Sequence, residues 1–177
     1  MKALEEKILQ EGEVVDGDIL KVDGFVNHQV DALLMEEIGK DMAEHFKGQG
    51  ITKVFTIESS GIAPALFTAK ELGVPLVILK KQQTADSLKT EVWQTEVVSY
   101  TKDTSYRLTL AKNYISDEDH VLIVDDFLAN GEAATGAIRL IRKAHATVAG
   151  LGVLIEKAFQ PGREKLESQG IHVYDQA

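Results

Sequence analysis

The sequence predicts an α/β protein with a central, mainly parallel sheet flanked by helices, and three observations carry that expectation. The apolar runs 76–79, 121–124 and 148–155 do not alternate with polar residues, as strands buried on both faces require. Stretches of helical spacing separate such runs, so strand, crossover helix and strand recur along the chain. Asp125 and Asp126 follow one run directly, and the crevice beyond the strand ends is where open α/β sheets bind ligands.

The elements follow in order. Residues 3–11 read as a short amphipathic helix broken by Gly12 and Gly17, and 19–25 as a short strand or extended segment. From Asp31 onward Leu33, Leu34, Ile38, Met42 and Phe46 recur at helical spacing, and Gly48 and Gly50 end that helix. Residues 52–57 form a strand, Glu58, Ser59, Ser60 and Gly61 a turn, and 64–72 a helix capped by Gly73. The short strand 75–79 is bounded by Lys80 and Lys81. Residues 82–92 are polar and without period, and a long loop inside a compact domain is usually functional or mobile. Residues 93–100 and 106–110 alternate enough for two antiparallel strands, and 132–145 read as a helix. Pro161 in its first turn and Gly170 past its end frame a last short helix, 161–169, and 171–174 add one more strand. With no internal repeat, low-complexity tract or Gly/Ser linker, residues 1–177 are expected to form one domain.

Charge and composition narrow the function. Of 177 residues, 28 are Asp or Glu and 19 are Lys or Arg, a net charge of −9 that argues against a general nucleic-acid binder. The absence of cysteine excludes disulfides, thiolate metal sites and Cys nucleophiles. Residues 1–10 lack the apolar core of a signal peptide, and no stretch approaches the roughly 20 apolar residues that span a bilayer. A cytoplasmic address without membrane contact is therefore expected. His28, His45, His120, His145 and His172 show no pair at ligand spacing and are read as surface or capping residues.

The chemistry concentrates in residues 121–136. Two carboxylates at one strand end repel unless something shared relieves them, such as sugar hydroxyls or a hydrated divalent cation. Beyond Asp126, Ala129, Asn130 and Gly131 turn the chain into the helix that Glu132 and Ala133 begin. Backbone N–H groups and the positive helix end converge there, an anion site most simply filled by phosphate. Carboxylates for hydroxyls and a helix N-terminus for phosphate describe the two ends of a ribose 5-phosphate. Taken alone, an Asp-Asp pair after a strand is often only a helix cap and a solvated turn. No P-loop and no dinucleotide fingerprint occurs in the chain.

Residues 121–133 resemble the ribose-phosphate signature of the type I phosphoribosyltransferases, and the resemblance covers nearly the whole chain. Within that family it is to the bacterial members that act on xanthine, through residues 20–23, 27–29, 56–64, 125–131 and 155–163. The resemblance implies the type I phosphoribosyltransferase fold, with a core at about 31–156 and a small hood from about 1–30 and 157–177. The chain ends soon after Tyr174, ahead of where that family ends, so either the hood is short or the sequence is a piece of a longer one.

It further implies purine salvage: xanthine and phosphoribosyl pyrophosphate giving xanthosine 5′-monophosphate and pyrophosphate, with Mg2+ held mainly by substrate oxygens and water. Asp125 and Asp126 would be the catalytic residues, holding the ribose hydroxyls, while Ala129, Asn130, Gly131, Glu132 and Ala133 cradle the 5-phosphate. Asn130 stands where many relatives carry Thr, and its amide is also a donor. Glu58, Ser59, Ser60 and Gly61 match the pyrophosphate loop, where a strained or cis peptide near Ser59 is expected; an ordinary capped turn is the plainer alternative. Lys80 and Lys81 either meet the pyrophosphate, in their own subunit or a neighbour's, or form a solvated basic pair. Residues 82–98 correspond to the family's mobile flap.

Leu20, Asn27 and Lys157 match the positions that contact xanthine, and Phe127 and Phe159 either pack on the base or belong to the core. A homodimer is implied as well. The rivals are a hypoxanthine/guanine or adenine phosphoribosyltransferase and a non-catalytic donor-sensing regulator on the same fold. The regulator would need a DNA-binding element, and the chain has neither an added winged helix nor a basic face. A response-regulator receiver also opens on an apolar strand and an acidic pair, but too few residues follow Asp126 for one.

Overall fold

A computed structural model describes residues 1–82, 91–99 and 103–177. In chain order it shows α1 (Lys2–Glu11), β1 (Glu13–Val15), β2 (Ile19–Lys21), α2 (Ala32–Phe46), β3 (Lys53–Ile57), α3 (Ile62–Leu72), β4 (Leu76–Gln82) and β5 (Val92–Ser99). β6 (Thr104–Ala111), β7 (His120–Leu128), α4 (Glu132–Lys143), β8 (Thr147–Glu156), α5 (Gly162–Glu167) and β9 (Val173–Asp175) complete it. Among the described residues the main sheet has seven strands, in the order β5-β6-β4-β3-β7-β8-β9. β4, β3, β7, β8 and β9 are parallel, and the β5–β6 hairpin joins β4 antiparallel.

Strand β7 shows why the fold has three layers. Val121 and Ile123 belong to a core shared with Ala137, Ile138 and Ile141 of α4, whereas Leu122 and Val124 belong to one shared with Met42 and Phe46 of α2 and Ala65 and Ala69 of α3. A run buried on both sides must be apolar at every position, which is what the sequence shows there. On the second face α2 approaches closely: a Cβ at Gly150 of β8 would stand 2.8 Å from Phe46 Cε1. Asp31 caps α2, its side chain accepting from the Leu34 N–H at 3.1 Å.

A third apolar cluster lies to one side. Leu4, Val22, Phe25 and Val26 from the first thirty residues pack on Leu34, Met35 and Ile38 of α2 and on Leu154 and Ile155 of β8. The chain ends meet beside it, where the Met1 ammonium donates to Gln176 O and the Glu156 N–H to Ala177 O. β9 meanwhile extends the main sheet next to β8.

Several boundaries differ from the sequence reading, each for a physical reason. Asp23, Gly24 and Phe25 are not strand: residues Asp23–Asn27 form one wide helical turn, closed by His28 N–H to Asp23 O at 3.1 Å. β1, absent from the reading, pairs antiparallel with β2. β4 continues through Lys80 and Lys81 because β6 pairs with it there, Lys80 opposite Thr109 and Lys81 opposite Leu108. β7 runs on through Asp125 and Asp126 to Leu128, carried by β8, with Phe127 opposite Ile155 and Leu128 opposite Glu156. Residues 92–98 of the expected flap lie in strand β5, and 83–90 fall outside the described residues.

Two of the histidines read as surface residues are exposed and in contact with each other. His45 and His172 are paired, with Nε2 atoms 2.8 Å apart, ring centroids 5.1 Å apart and planes inclined by 13°. Rings one above the other could not bring two nitrogens so close, so the imidazoles meet edge to edge and share one proton. Tyr174 stacks on His45 at 3.8 Å and donates to Asp41 Oδ2 at 2.6 Å. Burial, then the neighbouring His172, push the His45 pKa below its ordinary value. Among the described residues no helix is long and apolar enough to cross a membrane.

A candidate active site at the sheet's switch point

The chain moves outward from β3 to β4 on one side and returns through β7 on the other. The strand order therefore reverses between β3 and β7, and the crevice at their C-terminal ends is the expected ligand site of such a sheet. Three strand ends meet there. β3 leads into Glu58, Ser59 and Ser60, β4 brings Lys81, and β7 brings Asp125 and Asp126; with Ile57 and Ala133 they line a cleft of about 120 Å³. Residues 58–61, Lys81 and the acidic pair, separate in sequence, thus share one site.

The acidic pair is held by its own backbone. Asp125 Oδ1 accepts from the Asp126 N–H at 2.9 Å, and Asp126 Oδ1 from the Phe127 N–H at 2.8 Å. Burial, then the charge of Asp126, push the Asp125 pKa well above the ordinary carboxylate range. The same field reaches β6: burial first, then Asp125 and Glu132, raise the pKa of the Tyr106 phenol. Lys81 Nζ lies 4.9 Å from the centre of the Tyr106 ring, so the cation and the carboxylates occupy one neighbourhood. A group that donates to Asp125, or brings positive charge, would favour its ionised form.

The turn after β3 is tied to the next strand. Glu58 Oε1 accepts from the Lys81 N–H at 2.6 Å, and Oε2 lies 3.9 Å from Lys80 Nζ. The Glu58 side chain thus engages β4, which leaves the backbone of this turn as its contribution to an anion. The Glu58–Ser59 peptide bond is cis, as the family resemblance led us to expect. Gly61 ends the turn where any side chain would intrude: a Cβ there would collide with Thr56 Oγ1 and stand 2.8 Å from Asp125 Oδ1.

The second half of the site is the loop before α4. Gly131 sits at φ 82°, a left-handed conformation that glycine adopts without strain, and caps the helix. The Thr135 N–H and hydroxyl both bond Gly131 O, at 2.9 and 2.7 Å, locking the first turn. Residues 129–134 line a cavity of about 150 Å³ that also touches Asp125. The segment after β8 straps this loop from behind: the Lys157 N–H bonds Leu128 O at 2.8 Å and the Gly162 N–H bonds Ala129 O at 2.9 Å. A Cβ at Gly162 would collide with Ala129 O, and one at Gly131 would stand 3.3 Å from Gly162 Cα, so the two backbones pack directly.

Beside the acidic pair lies an apolar wall. Phe127 and Leu20 both pack on the cluster formed by the first thirty residues and α2, and Lys157 Nζ stands 5.5 Å from the Phe127 ring centre. Asn27 is exposed at the end of the wide turn next to Val26 of the same cluster. Phe159 is 69% exposed, which excludes the core role left open for it. Larger clefts, about 500 and 470 Å³, flank the start of α4 and share Glu132; the second includes Lys81, Tyr106 and Ala133 and so continues the site beneath the hairpin.

The sequence reading missed three residues here. Thr56 was detectable as a polar residue in a buried strand, and Gly162 as a glycine beside a proline; Tyr106 gave no signal, because only the hairpin carries it to the cleft.

The arrangement suits a sugar phosphate: carboxylates for hydroxyls, a helix end for an anion and a cation nearby. The phosphoribosyl transferase domain family matches residues 27–173. A curated protein of Agathobacter rectalis named xanthine phosphoribosyltransferase is 59% identical over all of this chain and 92% of its own length. One of the same name from Clostridium botulinum is 56% identical over all of this chain and 93% of its own length. Among solved structures, adenine phosphoribosyltransferase of Saccharomyces cerevisiae superimposes over all of both chains with a TM-score of 0.78 at 23% identity, a likeness of fold.

Proposed function

Because this chain belongs to the phosphoribosyltransferase family, we propose that it moves the phosphoribosyl group of phosphoribosyl pyrophosphate to xanthine, a step of purine salvage. The observation that supports this reading best is the shared cleft, where the turn after β3, Lys81, and Asp125 and Asp126 stand together. In the reaction the bond from the anomeric carbon to pyrophosphate breaks and a bond to a xanthine ring nitrogen forms. That nitrogen loses its proton, and the products are xanthosine 5′-monophosphate and pyrophosphate.

The sugar passes through a cationic state while pyrophosphate gains charge, so the site must favour both signs at once. Asp125 and Asp126 accept from the ribose hydroxyls and set a negative field beside the sugar. Donors from the sugar favour the ionised form of Asp125, which burial disfavours. Ala129 to Ala133 offer N–H groups and the α4 N-terminus to the 5-phosphate. Ser59, Ser60 and Gly61 offer backbone to the pyrophosphate, and Lys81 lies at the cleft to balance its charge. Among the described residues no group of three or more His, Asp or Glu side chains suits a metal ion. As the family resemblance implies, Mg2+ would be carried mainly by substrate oxygens and water, next to the acidic pair, and would offset charge on the leaving group.

Xanthine presents carbonyl acceptors at C2 and C6. Lys157 and Asn27 supply donors for them, while Leu20 and Phe127 form the apolar side of the pocket. Adenine carries an amino group at C6 and would leave the Lys157 donor unmatched. A cytoplasmic homodimer completes the reading, and light scattering on the purified protein tests the assembly.

The decisive experiment supplies the protein with Mg2+, phosphoribosyl pyrophosphate and, in turn, xanthine, guanine, hypoxanthine and adenine, and follows nucleotide formation. Xanthine should give the highest kcat/KM. A higher value with another base would overturn the choice of base, and binding of the donor with no turnover would mark the chain as a sensor.

A further inference from the structure

We propose that Thr56 is a positioning residue for this transfer: its hydroxyl donates to Asp125 Oδ1 when the ribose engages that carboxylate, and so holds the oxygens toward the sugar. The inference rests on the transferase reading above. Thr56 lies in β3 with no exposed surface, and its Oγ1 has no hydrogen-bond partner among the described residues. A buried hydroxyl without an acceptor is destabilising, and valine would fill the same place in a strand without that defect.

The hydroxyl is not lost in a random part of the core. The point where a Cβ on Gly61 would sit collides with Thr56 Oγ1 and is 2.8 Å from Asp125 Oδ1, so both oxygens border the same small space beside Gly61. Gly61 is what leaves that gap open. Asp125 Oδ1 accepts the Asp126 N–H at 2.9 Å, and a carboxylate oxygen has room for a second donor. To make the contact, the Thr56 hydroxyl and the carboxylate turn toward each other.

The test compares Thr56→Val and Thr56→Ser with the unaltered enzyme. The Val variant should lose roughly tenfold in kcat/KM for phosphoribosyl pyrophosphate at saturating xanthine, while KM for xanthine stays within about twofold. The Ser variant, which keeps the hydroxyl, should recover most of the loss. In an Asp125→Ala background, which removes the acceptor, the Val change should cost less than about twofold, because it acts through Asp125. The melting temperature of the Val variant should be unchanged or higher, since an unmatched hydroxyl has been removed. Full activity in the Val variant, failure of Ser to recover it, or additive losses in the double variant would each overturn the proposal. A failure of the transferase reading itself would show separately, as absence of nucleotide formation by the unaltered protein.

Discussion

Gly61→Ala isolates the geometry of the acidic site from the stability of the fold. Gly61 has φ −81° and ψ −10°, so alanine meets no backbone strain, and loss of unfolded-chain freedom alone would stabilise the protein by about 0.4–1 kcal/mol. Against this, the new Cβ collides with Thr56 Oγ1 and stands 2.8 Å from Asp125 Oδ1 and 3.3 Å from Asp125 Cα. Forcing a methyl into a packed site costs about 1–3 kcal/mol, leaving a net loss of about 1–2 kcal/mol. For a chain of this size that lowers the melting temperature by roughly 2–8 °C.

The kinetic effect should be far larger. A carboxylate displaced by even part of an ångström no longer meets the ribose hydroxyls, and kcat/KM for phosphoribosyl pyrophosphate should fall about 100-fold. Gly39→Ala is the control: its Cβ would stand 2.7 Å from Phe67 C, where α2 crosses α3, and neither residue lines the cleft of the acidic pair. It should lower the melting temperature while leaving the turnover of folded enzyme within about threefold. Calorimetry and steady-state kinetics on both variants decide the matter. Gly61→Ala with full activity, or Gly39→Ala with an equal kinetic loss, would refute the reasoning.

Three further outcomes are expected. Gly131→Ala places a side chain at φ 82° and 3.3 Å from Gly162 Cα, adding about 1–2 kcal/mol of backbone strain, and should raise KM for the phosphoribosyl donor more than that for xanthine. Lys157→Ala should raise KM for xanthine about tenfold or more and leave that for the donor little changed, as measured by initial rates with each substrate varied. Asp119 is opposed by burial, yet the Thr52 hydroxyl, the Ser116 N–H and Lys53 hold its pKa below the ordinary value. A lowered folded pKa means stabilisation that is complete above the unfolded value and lost as pH falls through the folded one. Asp119→Asn should therefore cost about 1.5–3 kcal/mol at neutral pH in urea unfolding, and the gap should narrow below about pH 4.

The parallel core was legible because burial on two faces leaves an unmistakable apolar run, as in Val121 to Val124. What the run hid was its own length. Asp125 and Asp126 read as the end of a strand, yet pairing to β8 carries β7 past them, since a neighbouring strand can support polar residues that local pattern cannot. Lys80 and Lys81 repeat the lesson with β6. The wide turn at Asp23–Asn27 has no familiar period to announce it, and the His45–His172 contact joins residues far apart in the chain. For the candidate site, the loop before α4 and the turn after β3 were legible as chain segments. The contacts that aim them, from Thr56, Tyr106 and Gly162, exist only after folding.

The separation of the apolar clusters bears on how such a protein changes its diet. Leu20 and Phe127, on the proposed base side, rest on the cluster built from the first thirty residues, α2 and the end of β8, whereas the strands beneath the acidic pair rest on the other two. Mutations that reshape the base pocket thus load mainly the small core beneath Leu20 and Phe127, while the strands under the acidic pair keep their own packing.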